Sequence, residues 1–321
     1  MQRLALNRHL VLGRAGMDLY ADPPGTHIEE ATRFVSHLGG SAANIAVALA
    51  RQGASAALLT RLSDDAVGRF CLAQLDHYGI DRSHVHLTAG ESRTSLAVVE
   101  TRLEDCQSVI YRNQAADFAL TPEDVARVDF RQYDSLIITG TALAQDPSRT
   151  ATMSALTKAK AAGLVTIMDV DFRPYSWPSS QEAQKINLAA ARLCDIVVGN
   201  DVEFGLLAGS EAEGLAIARK LVNESAQIAV HKRGELGAVT LTRSEDFTTG
   251  IYRTQALKPT GAGDAFLGGF LAALAQGQTP HDATLRGSAN AAMVVARVGC
   301  APAMPTGPEL DAFLAAHPAP I

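Results

Sequence analysis

Residues 258–274 read KPTGAGDAFLGGFLAAL. Pro259 and Gly261 stop any regular element that precedes them. Gly261, Ala262 and Gly263 carry almost no side chain, so the backbone can approach a ligand there and its N–H groups stay unpaired. The run AFLGGFLAAL is apolar on nearly every face, which predicts a helix with a buried, fixed axis. The N-terminus of such a helix gathers positive partial charge and free donors, and suits a phosphate or a developing anion. Asp264 lies in that first turn. It can act as a general base while the neighbouring N–H groups hold a transferring phosphoryl group. The plainer reading is an acid that only offsets the helix dipole.

A second helix start has the same character. LGGSAANIAVALARQG, residues 38–53, opens on Gly39-Gly40 and continues apolar almost all round. Asn44 falls inside that apolar face, and a buried amide without a partner costs about 1–3 kcal/mol. Its partner is either a nearby backbone group or a hydroxyl or carboxylate of a bound polyol. Asn290, in SANAAMVVARVG, poses the same question, with an adenine or a loop carbonyl as the answer.

Outward from these two stretches, short apolar runs alternate with helical segments. Residues 9–14, 56–61, 135–140, 165–170, 195–200 and 227–232 read as strands without strict alternation, as expected for strands buried on both faces of a parallel sheet. Helices are predicted near 41–52, 66–78, 148–162, 182–192, 212–223, 263–276 and 281–298, with one last short helix at the C-terminus. The alternation predicts a doubly wound α/β sandwich with right-handed crossovers. Residues 17–37 and 93–113 break it. The second of these reads as a hairpin across Leu103–Cys106, and together they predict a small β lid.

The bulk numbers agree. The 321 residues are 47% hydrophobic and 19% charged, enough for an extensive core. A net charge of -6 with no basic cluster argues against nucleic acid. The four cysteines are scattered without a CxxC pair, and no apolar run reaches membrane-spanning length. With no signal-peptide pattern at the start, the expected location is the cytoplasm. A nicotinamide-binding reading fails because the first strand lacks GxGxxG.

Gly39-Gly40 with Ala43-Asn44, and Pro259 to Asp264 with Phe266, Gly268 and Gly269, resemble the two signature motifs of the PfkB-type (ribokinase-like) carbohydrate kinases. The resemblance spans essentially the whole chain. It implies a three-layer αβα sandwich with a mostly parallel central sheet and a small β lid, in one kinase domain over 1–321. It implies ATP and Mg²⁺, with a monovalent cation such as K⁺ allowed. Asp264 is then the base, and Gly261, Ala262 and Gly263 the anion hole. Asp18, Gly39, Gly40 and Asn44 fall on the sugar side. Asn200 and Glu203 match an N-x-x-E motif that holds Mg²⁺ through water, although the same spacing suits a routine acidic helix start. Lys232, Gly234 and Gly237 match the loop beside the nucleotide, where Asn290 is also expected. No GxxxxGK[ST] occurs, so the turn at 261–263 must hold the phosphates. A homodimer through the lid strands follows by analogy.

Within the family, three stretches resemble the branch that phosphorylates 5-dehydro-2-deoxygluconate in myo-inositol breakdown: residues 13–20, 111–120 and 169–174. An acid sugar needs a cation, and Arg14, Arg112 and Arg173 are candidates because guanidinium pairs a carboxylate bidentately. Each has an ordinary ion pair as its alternative. Asp171 falls in the same substrate group. The competing substrates are 2-keto-3-deoxygluconate, ribose and fructose. A non-catalytic regulator on the same fold is the competing class, and the intact Asp264 argues against it.

Overall fold

The computed structural model describes residues 6–320. In chain order the elements begin β1 (Arg8–Leu12), β2 (Gly16–Ala21), β3 (Phe34–Gly39), α1 (Ser41–Arg51), β4 (Ser55–Ser63) and α2 (Ala66–His77). There follow β5 (Val85–Thr88), β6 (Ser95–Val99), β7 (Ser108–Tyr111), α3 (Pro122–Ala126), β8 (Ser135–Thr139), α4 (Ser148–Ala161) and β9 (Val165–Asp169). Next come α5 (Ser180–Ala191), β10 (Ile196–Asn200), α6 (Asp201–Ala208), α7 (Gly214–Glu224) and β11 (Ile228–Lys232). The chain closes with β12 (Ala238–Thr242), β13 (Asp246–Thr249), α8 (Ala262–Ala275), α9 (Pro280–Val295) and α10 (Gly307–Ala316).

The main sheet runs β13-β12-β11-β10-β9-β8-β1-β4-β5. Its strands pair in parallel from β11 to β5, and β12 and β13 add antiparallel at one edge. Successive residues of one strand enter opposite cores. Val11, Ile137 and Val198 pack towards α1 and α8. Leu10, Leu12, Ile138 and Val197 pack towards α4 and α7. Both faces are covered, which is why these strands read as unbroken apolar runs. The six expected strands are all present. The short strand β5 and the helix α6 lie outside the segments predicted from periodicity.

The two segments that broke the pattern form a separate four-stranded sheet in the order β3-β2-β6-β7. The expected hairpin is the antiparallel pair β6–β7, with Leu96 opposite Tyr111. The small sheet joins the main body at Gly13–Ala15, just past the end of β1, and again at Gly40, the N-cap of α1.

Helices α1 and α8 cross closely because a Cβ on Gly268 would lie 2.4 Å from the Cβ of Ala48. That approach brings Asn44, in the first turn of α1, against Asp264, in the first turn of α8. The loops after β1, β8, β9, β10 and β11 emerge at the same carboxyl edge of the parallel strands, the edge at which open α/β sheets place ligands.

Candidate active site

Gly261 is the N-cap of α8 and has φ of 83°, a left-handed conformation that disfavours a side chain. A Cβ there would also stand 2.8 Å from Cys300 Sγ. The helix then begins at Ala262 with no side chain capping its free N–H groups. Ala265 to Leu274 are buried, so the helix axis is fixed as expected. Asp264 is half-buried in the first turn and lines a cavity of about 110 Å³. Burial and the nearby Asp171 push its carboxyl up to about 7, against the opposing pull of the Asn44 hydrogen bond, Arg173 and Lys232. A carboxylate poised near neutrality matches the task of a general base.

On one side of the cavity stand Asp18, Gly40, Asn44 and Arg14. Asp18, on β2, is buried, and its Oδ1 has no protein partner. Burial raises its pKa, with Arg14 and Lys258 pulling the other way. A Cβ on Gly39 would fall 2.0 Å from the Asp18 carboxyl carbon, so glycine alone leaves room for that side chain. Asn44 was expected to meet a sugar hydroxyl or a backbone group. Its Nδ2 instead donates to Asp264 Oδ2 at 2.9 Å. Its Oδ1 keeps no protein partner.

The opposite wall comes from the loops after β8 and β9. Asp171 accepts from Ser41 Oγ at 2.6 Å and Thr141 Oγ1 at 3.0 Å, and pairs with Arg173 at 3.0 Å. Burial alone would raise its pKa, but Arg173 and the two hydroxyls leave it below its ordinary value. Arg112 also lines the cavity, yet its Nε and Nη2 go to Asp117 and its Nη1 to the Thr141 carbonyl at 3.1 Å. Its guanidinium stacks 3.9 Å over Phe118. Arg112 and Arg173 are therefore each held in an ion pair, the alternative reading of both. Arg14 makes one hydrogen bond, to Ser95 Oγ at 2.9 Å, and keeps the most donors for a ligand.

The remaining predicted residues lie at the ends of β10 and β11, in the turn before β12 and on α9. A Cβ on Gly263 would be 3.1 Å from Lys232 Nζ, so the ammonium stands over the amide turn. Gly234 is exposed and Gly237 buried, on either side of the short turn between β11 and β12. Asn200 and Glu203 form a capping box on α6, with Asn200 Oδ1 accepting from Glu203 N at 3.0 Å and Glu203 Oε2 from Asn200 N at 2.7 Å. Asn290 was expected to face an adenine or a loop carbonyl. It is fully buried and its Nδ2 donates to the Ala265 carbonyl at 2.6 Å, tying α9 to α8.

Residues 7–307 match the model of the pfkB family carbohydrate kinases. The chain belongs to that family. It is 38% identical over 310 residues to a 5-dehydro-2-deoxygluconokinase of Photobacterium profundum, covering 95% of this chain and 94% of the relative. It is 36% identical to a 5-dehydro-2-deoxygluconokinase of Geobacillus kaustophilus, covering 96% of this chain and 93% of that one. Among solved structures, a double mutant of the fructokinase of Vibrio cholerae O395, with fructose, ADP and potassium ion, superposes with a TM-score of 0.86. It shares 29% identity over 97% of this chain and 99% of its own. The aminoimidazole riboside kinase of Salmonella enterica, with its riboside and an ATP analogue, gives 0.82 at 25% identity over 96% and 99%.

The site of this pfkB kinase also holds residues that no motif flagged. Ser41 and Thr141 orient Asp171, and neither has a spacing signal in the sequence. Asp169 stood in the quoted turn at 169–174 without a role. It is buried, and burial holds its carboxyl well above the ordinary range, with Lys232 opposing and Glu203 and Asp171 adding to the rise. Among the described residues, the one trio of side chains close enough to grip a metal is His27, Glu29 and Glu100, in the connections that follow β2 and β6. None of the three lines the cavity.

Proposed function

We propose that this kinase transfers the γ-phosphoryl group of ATP to a primary hydroxyl of a sugar acid, with 5-dehydro-2-deoxygluconate as substrate. The observation that carries the reading is Asp264, with its carboxyl raised to about 7, set beside the amide turn at 261–263 in a cavity walled by arginines. The two relatives at 38% and 36% identity bear that substrate in their names.

Asp264 takes the proton from the hydroxyl as the oxygen attacks. The N–H groups of Gly261, Ala262 and Gly263 face the oxygens of the moving phosphoryl, and Lys232 adds positive charge over Gly263. Asp18 and the free Oδ1 of Asn44 accept from sugar hydroxyls. Arg14 takes the sugar carboxylate, since Arg112 and Arg173 are already paired. Closure of the small sheet over the cavity excludes water, so that the nucleotide is not hydrolysed.

Mg²⁺ fits the donor set near Glu203. Asp169 and Glu203 are two buried carboxylates, and the charge of Glu203 adds to the rise of Asp169. Both Glu203 oxygens already accept from backbone N–H groups, Asn200 at 2.7 Å and Phe172 at 3.4 Å, which favours contact through water. A divalent ion held there by Glu203 through water would neutralise charge on the phosphate oxygens. The edges of the small sheet, β3 and β7, expose Phe34, Val35, Val109 and Tyr111, which favours a homodimer across that sheet. Among the described residues no helix is long and apolar enough to cross a membrane.

The deciding experiment is ADP release over a panel of 5-dehydro-2-deoxygluconate, 2-keto-3-deoxygluconate, ribose and fructose. The first is expected to give the highest kcat/KM. No turnover on any of them would favour a non-catalytic regulator. Asp264→Asn is expected to lower kcat by about 100-fold or more with sugar binding kept.

A further inference from the structure

Lys258 is fully buried, a rare position for an ammonium group. Its Nζ donates to the Thr260 carbonyl at 2.6 Å and to the Val294 carbonyl at 3.4 Å. Thr260 is the residue immediately before the amide turn at 261–263, and Val294 lies in the last turn of α9. The backbone carrying the lysine is pinned to the same helix end, because Leu257 N and Lys258 N both donate to the Val295 carbonyl, at 2.7 and 3.3 Å. Both acceptors of the ammonium are main-chain dipoles, and neither is a carboxylate. Burial pulls its pKa down, while Cys300, Asp264, Cys106 and Asp18 pull it back up, and three of these, Cys300, Asp264 and Asp18, line the cavity.

Burying a charge this deeply is costly unless its surroundings need it. Two carbonyl oxygens converging behind an anion-binding turn make the same demand that a monovalent cation meets. The demand is for positive charge that turns the carbonyls inward and the amides of the next residues outward. One structural neighbour carries a potassium ion with its substrate and ADP. This chain supplies a fixed cation of its own.

We propose that Lys258 is a positioning residue that serves as the built-in monovalent cation of the amide turn: it holds the Thr260 carbonyl, orients the N–H groups of residues 261–263, and makes turnover independent of added potassium. The proposal rests on the reading of that turn as an anion hole. Under it, the monovalent ion that the resemblance allows is not required behind the turn, because the two carbonyls there already accept from Nζ.

The test has two arms. First, ADP release and thermal midpoint of the wild-type protein are measured with potassium replaced by tetramethylammonium at constant ionic strength. Both are expected to stay unchanged, and a loss of rate or a lower midpoint without potassium would overturn the proposal. Second, Lys258→Met keeps the bulk of the side chain and removes its charge. Its kcat is expected to fall about 10- to 100-fold with little change in KM for the sugar, as for a lost contribution to transition-state charge. Lys258→Ala opens the space, and potassium or ethylammonium is expected to raise both its kcat and its midpoint, by binding to the folded state. A Lys258→Met enzyme with wild-type kcat, or one changed only in KM, would refute the role. If neither variant folds, the first arm still decides, since it needs only the natural chain. Absence of any wild-type turnover would instead strike at the kinase reading beneath the proposal.

Discussion

The Asn44–Asp264 hydrogen bond makes the acid limb of the pH profile a sensitive test of the site. Asn44→Leu replaces the amide by an apolar group of similar size in the first turn of α1. The bond removed is Nδ2 to Oδ2 at 2.9 Å, and it stabilises the ionised form of Asp264. A hydrogen bond to a charged group is worth about 1.5–3 kcal/mol. At about 1.4 kcal/mol per pK unit, its loss moves the Asp264 carboxyl up by about 1–2 units. With the wild-type group at about 7, half of the enzyme holds the carboxylate at neutral pH. In the variant that share falls to about 1–10%. The deprotonated form is the active one, so kcat/KM rises with pH through this range. Beyond a pH-independent loss from the sugar contact of Oδ1, the variant is expected to lose about 5- to 50-fold at neutral pH and to reach its own plateau by about pH 10. The assay is coupled ADP release at limiting sugar and saturating ATP, from about pH 5.5 to 10. Bound nucleotide moves both limbs, so the displacement between them is the quantity to read. Coincident limbs would refute the tuning role. A parallel drop at every pH would assign Asn44 to sugar binding alone.

Three further outcomes follow from the same geometry. An acid whose folded pKa lies above its unfolded value weakens the fold as pH rises between the two, here from the ordinary carboxyl value of 3.8 to about 7. Asp264→Asn is therefore expected to be more stable than wild type by on the order of 1–3 kcal/mol above about pH 7, discounted for partial exposure, with the gap closing towards pH 4, read as denaturant midpoints. Gly39→Ala places a methyl 2.0 Å from the Asp18 carboxyl carbon, so Asp18 must swing away. A rise in KM for the sugar of about 10-fold or more is expected, with kcat less affected, and an unchanged KM would remove Asp18 from the sugar site. Gly268→Val drives a side chain into Ala48, whose Cβ stands 2.4 Å from the new Cβ, and separates α1 from α8. It is expected to cost about 1–3 kcal/mol in urea unfolding and to lower turnover as well, because the crossing sets the Asn44–Asp264 distance.

The local and repetitive features were legible in the chain. Unbroken apolar runs alternating with helical periods gave the parallel sheet, because strands covered on both faces need no polar side. The glycine-flanked start of 262–275 gave the uncapped helix end and its acid, since a free helix end and a missing Cβ are properties of a few consecutive residues. The strands of the small sheet stood out as the place where that alternation stopped. Short elements were harder. The strand Val85–Thr88 and the helix Asp201–Ala208 are too brief for a period to register.

What the sequence alone could not decide is which polar group meets which. Asn44 and Asp264 are 220 positions apart, and only the α1–α8 crossing makes one the partner of the other. Asn290 looked like a ligand contact until the packing of α9 against α8 gave its amide a carbonyl. Arg112 and Arg173 stood ahead of Arg14 as candidates, and the structure places Asp117 and Asp171 as ion-pair partners of those two. The ammonium of Lys258 drew no notice beside the motif it precedes, yet the fold buries it behind the turn with Nζ on the Thr260 carbonyl. Backbone propensity is set by near neighbours along the chain. Hydrogen-bond partners and pKa values are set by neighbours in space, and the fold chooses those.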